Sequence, residues 1–294
     1  MIQNSLSNQT KKPKFSVVLQ QDAIQKLINN TLVDPKKAQR FITSISSAVA
    51  INPTLQECES YSIINAALLG ETLNLSPSPQ LGHYYMVPFN DKNRGKVATF
   101  QLGYKGYIQL AIRSGQYKSI NVIDVKQGEL IGYDRLSETI ELSFIDDEEE
   151  REKAETIGYC AMFETVTGFR KMLYWTKKRM MSHALKYSPG FKAQKGYTFW
   201  EKDFDGMAFK TMLRQLISKW GIMSIELQSA FEGDMSFKDE SGNASYVEES
   251  EDTEVYNKVV NDVEVTESIE QQIDQVQEQF ATQSPQEEQQ VTLL

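Results

Sequence analysis

The first third of the chain has apolar side chains at intervals of three and four residues, the spacing that places them on one face of an α-helix. Helical periodicity begins near Gln21, and Asp34-Pro35 supplies the N-cap and first position of a helix predicted over 36–50. A further helix is predicted over 60–71. Residues 1–14 are polar, and we expect residues 1–18 to be disordered.

Beyond Pro79 the apolar and polar positions alternate, as is typical of half-buried strands. Two pairs of segments predict hairpins and two further segments predict single strands: 84–89 with 96–102, 156–165 with 169–175, 117–125, and 140–144. The segment from Gly103 to Gly106 leads into a predicted helix that ends near Ser114, and further helices are predicted over 176–186 and 199–220. The acidic residues 146–155 are interpreted as a loop. This order predicts an α+β fold with N-terminal helices, a central antiparallel sheet with hairpins, and C-terminal helices.

Charge divides the chain into two unlike regions. Residues 232–294 carry 17 acidic and 2 basic side chains, whereas residues 1–231 carry 23 acidic and 29 basic ones, within a net charge of −9 for all 294 residues. The acidic region has few aromatic residues and many glutamines, a composition that does not support a packed core. We therefore predict a folded domain over 19–231 and a disordered acidic tail over 232–294, and the basic domain indicates a polyanionic partner.

Motifs of several common enzyme classes are missing from the sequence. It has no GxxxxGK[ST], GxSxG or HExxH, so an ATP-driven motor and the corresponding hydrolases are unsupported. Cys58 and Cys160 form no CxxC pair, and His83 and His183 lie 100 residues apart, so we expect no metal site and no disulfide framework. The Asp124–Lys126 triplet leaves a nuclease metal site open as a minor alternative. No cofactor is expected, and Mg²⁺ is expected to be modulatory at most.

A membrane span and secretion are not expected either. No apolar run reaches the ~18 residues that a membrane-spanning helix needs, and the polar N-terminus does not resemble a secretory signal. The absence of a disulfide framework fits a reducing compartment.

The most basic segment lies between Thr165 and Trp200, where eight lysine and arginine residues occur without an acidic one. Lys177 and Lys178 are among them, and aromatic residues such as Trp175 are interleaved. Cations neutralise phosphates and aromatic faces stack on unpaired bases, so this segment predicts binding of a single-stranded polyanion. A solvated basic face above an aromatic core is the alternative.

Two smaller clusters of basic residues are also candidate binding sites for a phosphate backbone. On the helix that ends at Trp220, Lys210 and Arg214 lie one turn apart, with Thr211 beside them. We expect both cations to be exposed, and charge together with hydroxyl hydrogen bonds would hold a phosphate backbone there. Solubilisation of the helix is the alternative. The other cluster surrounds Gly103 and would allow a ligand to approach the backbone closely. Its basic and aromatic members are Lys96, Tyr104, Lys105, Tyr107, Arg113, Tyr117 and Lys118.

Four blocks of sequence resemble the RecT family of phage single-strand annealing proteins, in the same order along the chain. They are GHYYMVPFN (82–90), GYKGYIQLAIRSGQY (103–117), WTKKRMMSHALKYSPG (175–190) and FDGMAFKTMLRQLISKWGIMS (204–224). The resemblance covers roughly residues 20–230. Composition by itself indicates only a basic domain suited to a single-stranded nucleic acid.

The resemblance implies a function without catalysis. It implies that the protein coats single-stranded DNA, forms rings or helical filaments, anneals complementary strands without ATP and holds the annealed duplex. It also implies a phage exonuclease as partner, in the cytoplasm of a bacterial host. A protein that coats one strand without annealing, as a mediator of replication or repair, is the alternative.

The same resemblance carries over a set of groove residues by motif. They are Lys96, Lys105, Arg113, Lys118, Lys178, Lys210, Thr211 and Arg214. Tyr104 and Lys177, from the basic and aromatic clusters, complete the candidate DNA-binding residues.

One apolar stripe interrupts the acidic tail. Ile269, Ile273, Val276 and Phe280 have helical spacing, and we predict a partner-docking helix over 265–280. The exonuclease or the host single-strand-binding protein would be the partner, with the helix lying in a groove. An inert, solubilising tail is the alternative.

Overall fold

A computed structural model describes residues 13–91, 93–196, 198–238 and 244–246. Its helices are α1 (Phe15–Val18), α2 (Asp22–Leu32), α3 (Pro35–Ile51), α4 (Ser60–Thr72), α5 (Tyr104–Arg113), α6 (Glu148–Lys153), α7 (Lys177–Tyr187), α8 (Pro189–Lys192), α9 (Phe199–Lys202), α10 (Phe204–Trp220) and α11 (Ile225–Gly233). Its strands are β1 (Tyr84–Asp91), β2 (Gly95–Leu102), β3 (Tyr117–Lys126), β4 (Leu130–Asp134), β5 (Thr139–Leu142), β6 (Thr156–Thr165), β7 (Arg170–Thr176), β8 (Ser236–Lys238) and β9 (Ala244–Tyr246). The predicted α+β class is confirmed.

The described residues form two compact units. Unit 1 comprises 13–120 and 221–246, and unit 2 comprises 121–220. The chain passes from unit 1 into unit 2 within β3 and returns after α10. Both hairpins expected from the sequence are present, as β1–β2 in unit 1 and β6–β7 in unit 2.

Unit 1 combines α1–α5 and α11 with a sheet in the order β1-β2-β8-β9. Helix α3 begins as expected, because the Asp34 side chain accepts a hydrogen bond from the Lys36 amide at 2.8 Å. In the sheet, Tyr84 pairs with Leu102 at one end of the hairpin. The Tyr84 ring also stacks on Phe100, with 5.0 Å between the ring centres. This stack is part of the core on which α4 packs.

Unit 2 contains the sheet β3-β6-β7, the hairpin β4–β5 and helices α6–α10. A small apolar cluster of Val125, Cys160 and Tyr174 lies under the β4–β5 hairpin. Helix α10 packs on β6 and β7, and the Tyr159 hydroxyl donates a 2.6 Å hydrogen bond to the Asp205 carboxylate near the start of that helix. These contacts hold α10 against the β6–β7 hairpin.

Two segments that were expected to be irregular are helical. Residues 148–153 form α6 within the predicted acidic loop, because Asp147 accepts a hydrogen bond from the Glu150 amide and the acidic first turn suits the helix dipole. The short helix α1 lies within the residues predicted to be disordered, and the buried side chain of Val18 anchors it.

The predicted helix over 199–220 is interrupted at Asp203. This residue has a non-helical backbone (φ −150°, ψ 74°), which separates α9 from α10. Its side chain accepts a 2.9 Å hydrogen bond from the Gly206 amide and thereby caps α10.

The fold also continues past the expected domain end at residue 231. Helix α11 extends to Gly233, and Ser236 of β8 pairs with Phe100 of β2. Tail residues 239–243 and 247–294 lie outside the described residues, and with them the proposed docking helix over 265–280, including Ile269, Ile273, Val276 and Phe280.

Candidate nucleic-acid interface

An open cleft of about 730 Å³ lies within unit 2, between the β4–β5 hairpin, strand β7 and the ends of α7 and α10. Its lining combines aromatic and basic side chains with a single acidic one. The lining residues are Leu130, Tyr133, Arg135, Glu138, Leu173, Tyr174, Trp175, Thr176, Arg179, Gln215 and Lys219.

The aromatic side of the cleft consists of Tyr133, Tyr174 and Trp175. Tyr133 meets Tyr174 edge to face, with 5.3 Å between the ring centres. Burial raises the pKa of both tyrosines, so their hydroxyls stay protonated at neutral pH. The Trp175 indole N–H is buried, and no hydrogen-bond acceptor for it exists among the described residues. This side of the cleft therefore offers aromatic faces to a ligand.

The basic side of the cleft is contributed by Arg135, Arg179 and Lys219. The Arg179 guanidinium lies 4.1 Å from the centre of the Trp175 ring, within the range of a cation–π contact. Cations held beside aromatic faces are the combination that binds phosphate and base of an unpaired nucleotide together.

Three cations occupy the first turn of α7, which begins beside this cleft. Lys177, Lys178 and Arg179 follow the N-cap Thr176, whose hydroxyl accepts a 3.2 Å hydrogen bond from the Arg179 amide. That turn contains no acidic side chain. A positive charge at a helix N-terminus opposes the helix dipole and costs stability, whereas an anion there is favoured by both the dipole and the cations. The three cations therefore lower the stability of α7 but make its first turn suitable for binding an external anion.

Lys177 is engaged in an ion pair within the protein. Its ammonium group lies 3.8 Å from the Glu155 carboxylate, and its side chain is half-buried. Lys178 and Arg179 are exposed.

Lys210 is buried, at 7 % exposure, although the sequence predicts that it is exposed. Thr211 is also buried, and its hydroxyl donates a 2.9 Å hydrogen bond to the Met207 carbonyl of its own helix. The reason is that α10 buries more than one face, as its buried residues Met212 and Leu213 show. Arg214 is half-buried. The exposed phosphate clamp expected on this helix is therefore wrong in its exposure, and its contact with DNA stays a prediction.

In unit 1, Tyr104 and Lys105 open helix α5. Lys105 is exposed, and its ammonium group lies 5.9 Å from the centre of the Tyr104 ring. The flanking glycines have another role than the expected approach to a ligand. A Cβ atom at Gly103 would overlap the Gly82 carbonyl, and one at Gly106 would overlap the His83 carbonyl. Both glycines permit close packing of the chain on itself.

The other candidates in unit 1 differ in how far they are engaged. The Arg113 guanidinium donates hydrogen bonds to the carbonyls of Leu73 and Asn74, at the end of α4. Lys96 forms an ion pair with Glu57, and that hydrogen bond raises the pKa of Lys96. Lys118 is exposed on β3. Five of the ten candidate DNA-binding residues thus belong to unit 1, and the other five, from Lys177 to Arg214, belong to unit 2.

The Asp124–Lys126 triplet is part of an ion-pair network. The Asp124 carboxylate lies 3.0 Å from the Lys126 ammonium group and 3.3 Å from the Arg151 guanidinium. Arg151 also pairs at 2.7 Å with Glu129, whose side chain is fully buried. Although burial alone would raise the pKa of Asp124, the two cations lower it below the ordinary value. No group of three potential metal ligands occurs among the described residues.

His183 lies in an aromatic cluster with Trp175, Tyr187 and Trp200. Burial, together with the positive charges of Lys186 and Arg179, lowers the pKa of His183 to about 4. The imidazole is therefore neutral at neutral pH and packs as part of the aromatic cluster.

Sequence reasoning missed Arg135, Lys219 and Glu138 as parts of the cleft. The β4–β5 hairpin was recognised only in its second strand, so the pairing that brings Arg135 and Glu138 to α10 could not be expected. Trp220 was missed as well, because it continues the helical spacing of the apolar residues Leu213 and Leu216, yet it is 39 % exposed. Its position directly after the basic residue Lys219 was the one signal in the sequence that could have indicated its exposure.

Comparison with known proteins provides independent evidence. A family model described as the RecT family matches residues 39–257. The uncharacterized protein YqaK of Bacillus subtilis (strain 168) is 42 % identical over 236 residues, which cover 78 % of each chain. Protein RecT of Escherichia coli (strain K12) is 29 % identical over 201 residues, covering 66 % of this chain and 70 % of that protein. No helix among the described residues is long and apolar enough to span a membrane.

Proposed function

The chain belongs to the RecT family, a family of phage-type recombination and annealing proteins, and on that premise we propose that it binds single-stranded DNA and anneals complementary strands without ATP. The observation that carries the proposal is the first turn of α7. Three cations stand there against the helix dipole, beside a cleft with an aromatic wall. A local arrangement that lowers stability is expected where function requires it.

The mechanism follows from the repulsion between two polyanions. Annealing brings two phosphate backbones together, and lysine and arginine side chains reduce the electrostatic cost of doing so. Sequence is then tested by base pairing between the strands. The protein therefore binds the phosphate backbones of the DNA, and its aromatic side chains stack on bases without contacting the edges that form base pairs.

Assembly and partners complete the proposal. Copies of the chain associate in a ring or helical filament along the strand and retain the annealed duplex. A phage exonuclease supplies the single strand, and the host single-strand-binding protein is a second candidate partner. The reaction takes place in the cytoplasm of a bacterial host. No bond is made or broken, no cofactor is used, and Mg²⁺ only modulates the charge on the DNA.

A strand-annealing assay without nucleotide tests this function. Two complementary oligonucleotides, one with a donor dye and one with an acceptor dye, are mixed with the protein in the presence of a chelator. We expect energy transfer to rise faster than in buffer, and a non-complementary pair to give no signal. Binding without acceleration would instead support a coating protein, and shortening of a strand on addition of Mg²⁺ would support a nuclease.

A further inference from the structure

One carboxylate bridges two lysines at the edge of the unit 2 cleft. Glu138 Oε1 lies 3.0 Å from the Lys219 ammonium group, and Oε2 lies 3.0 Å from that of Lys171. The Glu138 side chain is only 12 % exposed. Although burial alone would raise the pKa of Glu138, the two ammonium groups lower it, so the carboxylate is ionised at neutral pH.

Both ammonium groups also face one aromatic ring. Lys171 Nζ lies 4.6 Å and Lys219 Nζ lies 4.9 Å from the centre of the Trp220 ring. Trp220 is 39 % exposed, whereas Trp175 and Trp200 are buried. An exposed indole flanked by two cations can stack on a base while the cations hold the adjoining phosphate.

The backbone at Glu138 is in the left-handed region, with φ 54°. That conformation is unfavourable for a residue that carries a side chain. The turn that contains it is held by other contacts: Asp134 accepts a hydrogen bond from the Leu136 amide, and Lys171 donates one to the Ser137 carbonyl at 3.1 Å. The turn thus presents the carboxylate to the two lysines in a conformation that is intrinsically unfavourable.

We propose that Lys171, Lys219 and Trp220 form a subsite for one nucleotide of single-stranded DNA, in which the carboxylate of Glu138 stands in for the phosphodiester. A carboxylate and a phosphate both offer paired anionic oxygens to ammonium donors. The entering phosphate takes over both lysines, the base stacks on Trp220, and Glu138 turns towards solvent. This subsite deepens the proposed function and rests on it.

The exchange has a consequence for affinity. Because Glu138 competes with the phosphate for the same two cations, it lowers the affinity for DNA. A moderate affinity suits annealing, since strands must shift along the protein until their bases pair. Glu138 is then a residue that sets the balance between holding and releasing a strand.

The experiment compares two charge-matched variants with the wild type. Glu138→Gln removes the competing carboxylate, and Glu141→Gln removes an exposed carboxylate from strand β5 of the same hairpin. Binding of a labelled oligothymidylate is followed by fluorescence anisotropy. Glu138→Gln removes both ion pairs of the competing carboxylate. We therefore expect it to bind the oligothymidylate about fivefold more tightly than the wild type does. We expect a much smaller change for Glu141→Gln, and equal affinities of the two variants would overturn the subsite.

Tryptophan fluorescence of the wild type, compared with one further variant, provides a second readout. We expect the oligothymidylate to quench wild-type fluorescence, and we expect Trp220→Phe to remove most of this quenching while the two buried tryptophans remain. Full binding by anisotropy without any change in the Trp220 signal would overturn the subsite but leave the proposed function intact. No binding at all by the wild type would overturn both.

Discussion

The Tyr107 hydroxyl donates a hydrogen bond to the buried carboxylate of Asp234, 3.1 Å away. The other carboxylate oxygen accepts a 2.9 Å hydrogen bond from the Leu102 amide at the end of β2. Asp234 thus connects the segment after α11 to both β2 and α5, although it lies beyond the domain end expected from composition.

We expect Asp234→Ala to lower the free energy of unfolding by about 2–3 kcal/mol, because it removes the acceptor of two buried donors. Guanidinium denaturation followed by circular dichroism measures this change. Glu232→Ala is the matched control, since it removes an exposed carboxylate two residues earlier and should change stability by less than about 0.5 kcal/mol. Equal effects of the two substitutions would show that Asp234 is not a structural anchor.

Arg151→Met should be strongly destabilising. The substitution leaves the fully buried Glu129 carboxylate without its guanidinium partner, and breaking a buried ion pair in this way costs about 3 kcal/mol. Lys153→Met is the control, because Lys153 is an exposed cation on the same helix. A thermal melt in which both variants match the wild type would contradict this role.

His183 should make the protein sensitive to mild acid. Its pKa is lowered from 6.5 to about 4 in the folded chain. Between these values the unfolded chain takes up a proton that the folded chain does not, so stability falls as the pH falls from 6.5 to 4. His183→Gln should show a smaller drop in melting temperature over the same range. Parallel pH profiles of the two proteins would exclude this contribution.

Lys178→Glu should separate stability from binding. A carboxylate in the first turn of α7 interacts favourably with the helix dipole, so we expect the free energy of unfolding to rise by about 0.5 kcal/mol. The same change should weaken binding of single-stranded DNA, because it places a negative charge where a phosphate is expected. A variant that loses stability and keeps its affinity would contradict the functional reading of this turn.

Much of the fold was predictable because its signals are local. The N-cap at Asp34 and the alternation along the β1–β2 hairpin required no knowledge of distant contacts. The break at Asp203 was missed because its apolar neighbours continue the helical spacing across it. Strand β8 was missed because it is short and depends on pairing with Phe100, which lies far away in the sequence.

The candidate site was predictable in kind but less so in detail. Local charge was sufficient to find the first turn of α7, including Lys178. The burial of Lys210 could not be predicted in this way, because it depends on which strands pack against α10. The bridge from Glu138 to Lys219 joins residues 81 positions apart, and no local pattern indicates it.

The salt dependence of single-stranded DNA binding tests the central claim most directly. Each phosphate neutralised on a single strand contributes about −0.7 to the slope of the logarithm of affinity against the logarithm of salt concentration. The variant Lys178→Gln/Arg179→Gln should therefore have a slope about 1.4 smaller in magnitude than the wild type. Lys36→Gln/Lys37→Gln is the matched control, because it removes two exposed lysines from the first turn of α3, and it should keep the wild-type slope. A slope that is unchanged in the α7 variant, or reduced equally in both, would contradict a DNA-binding site at the start of α7.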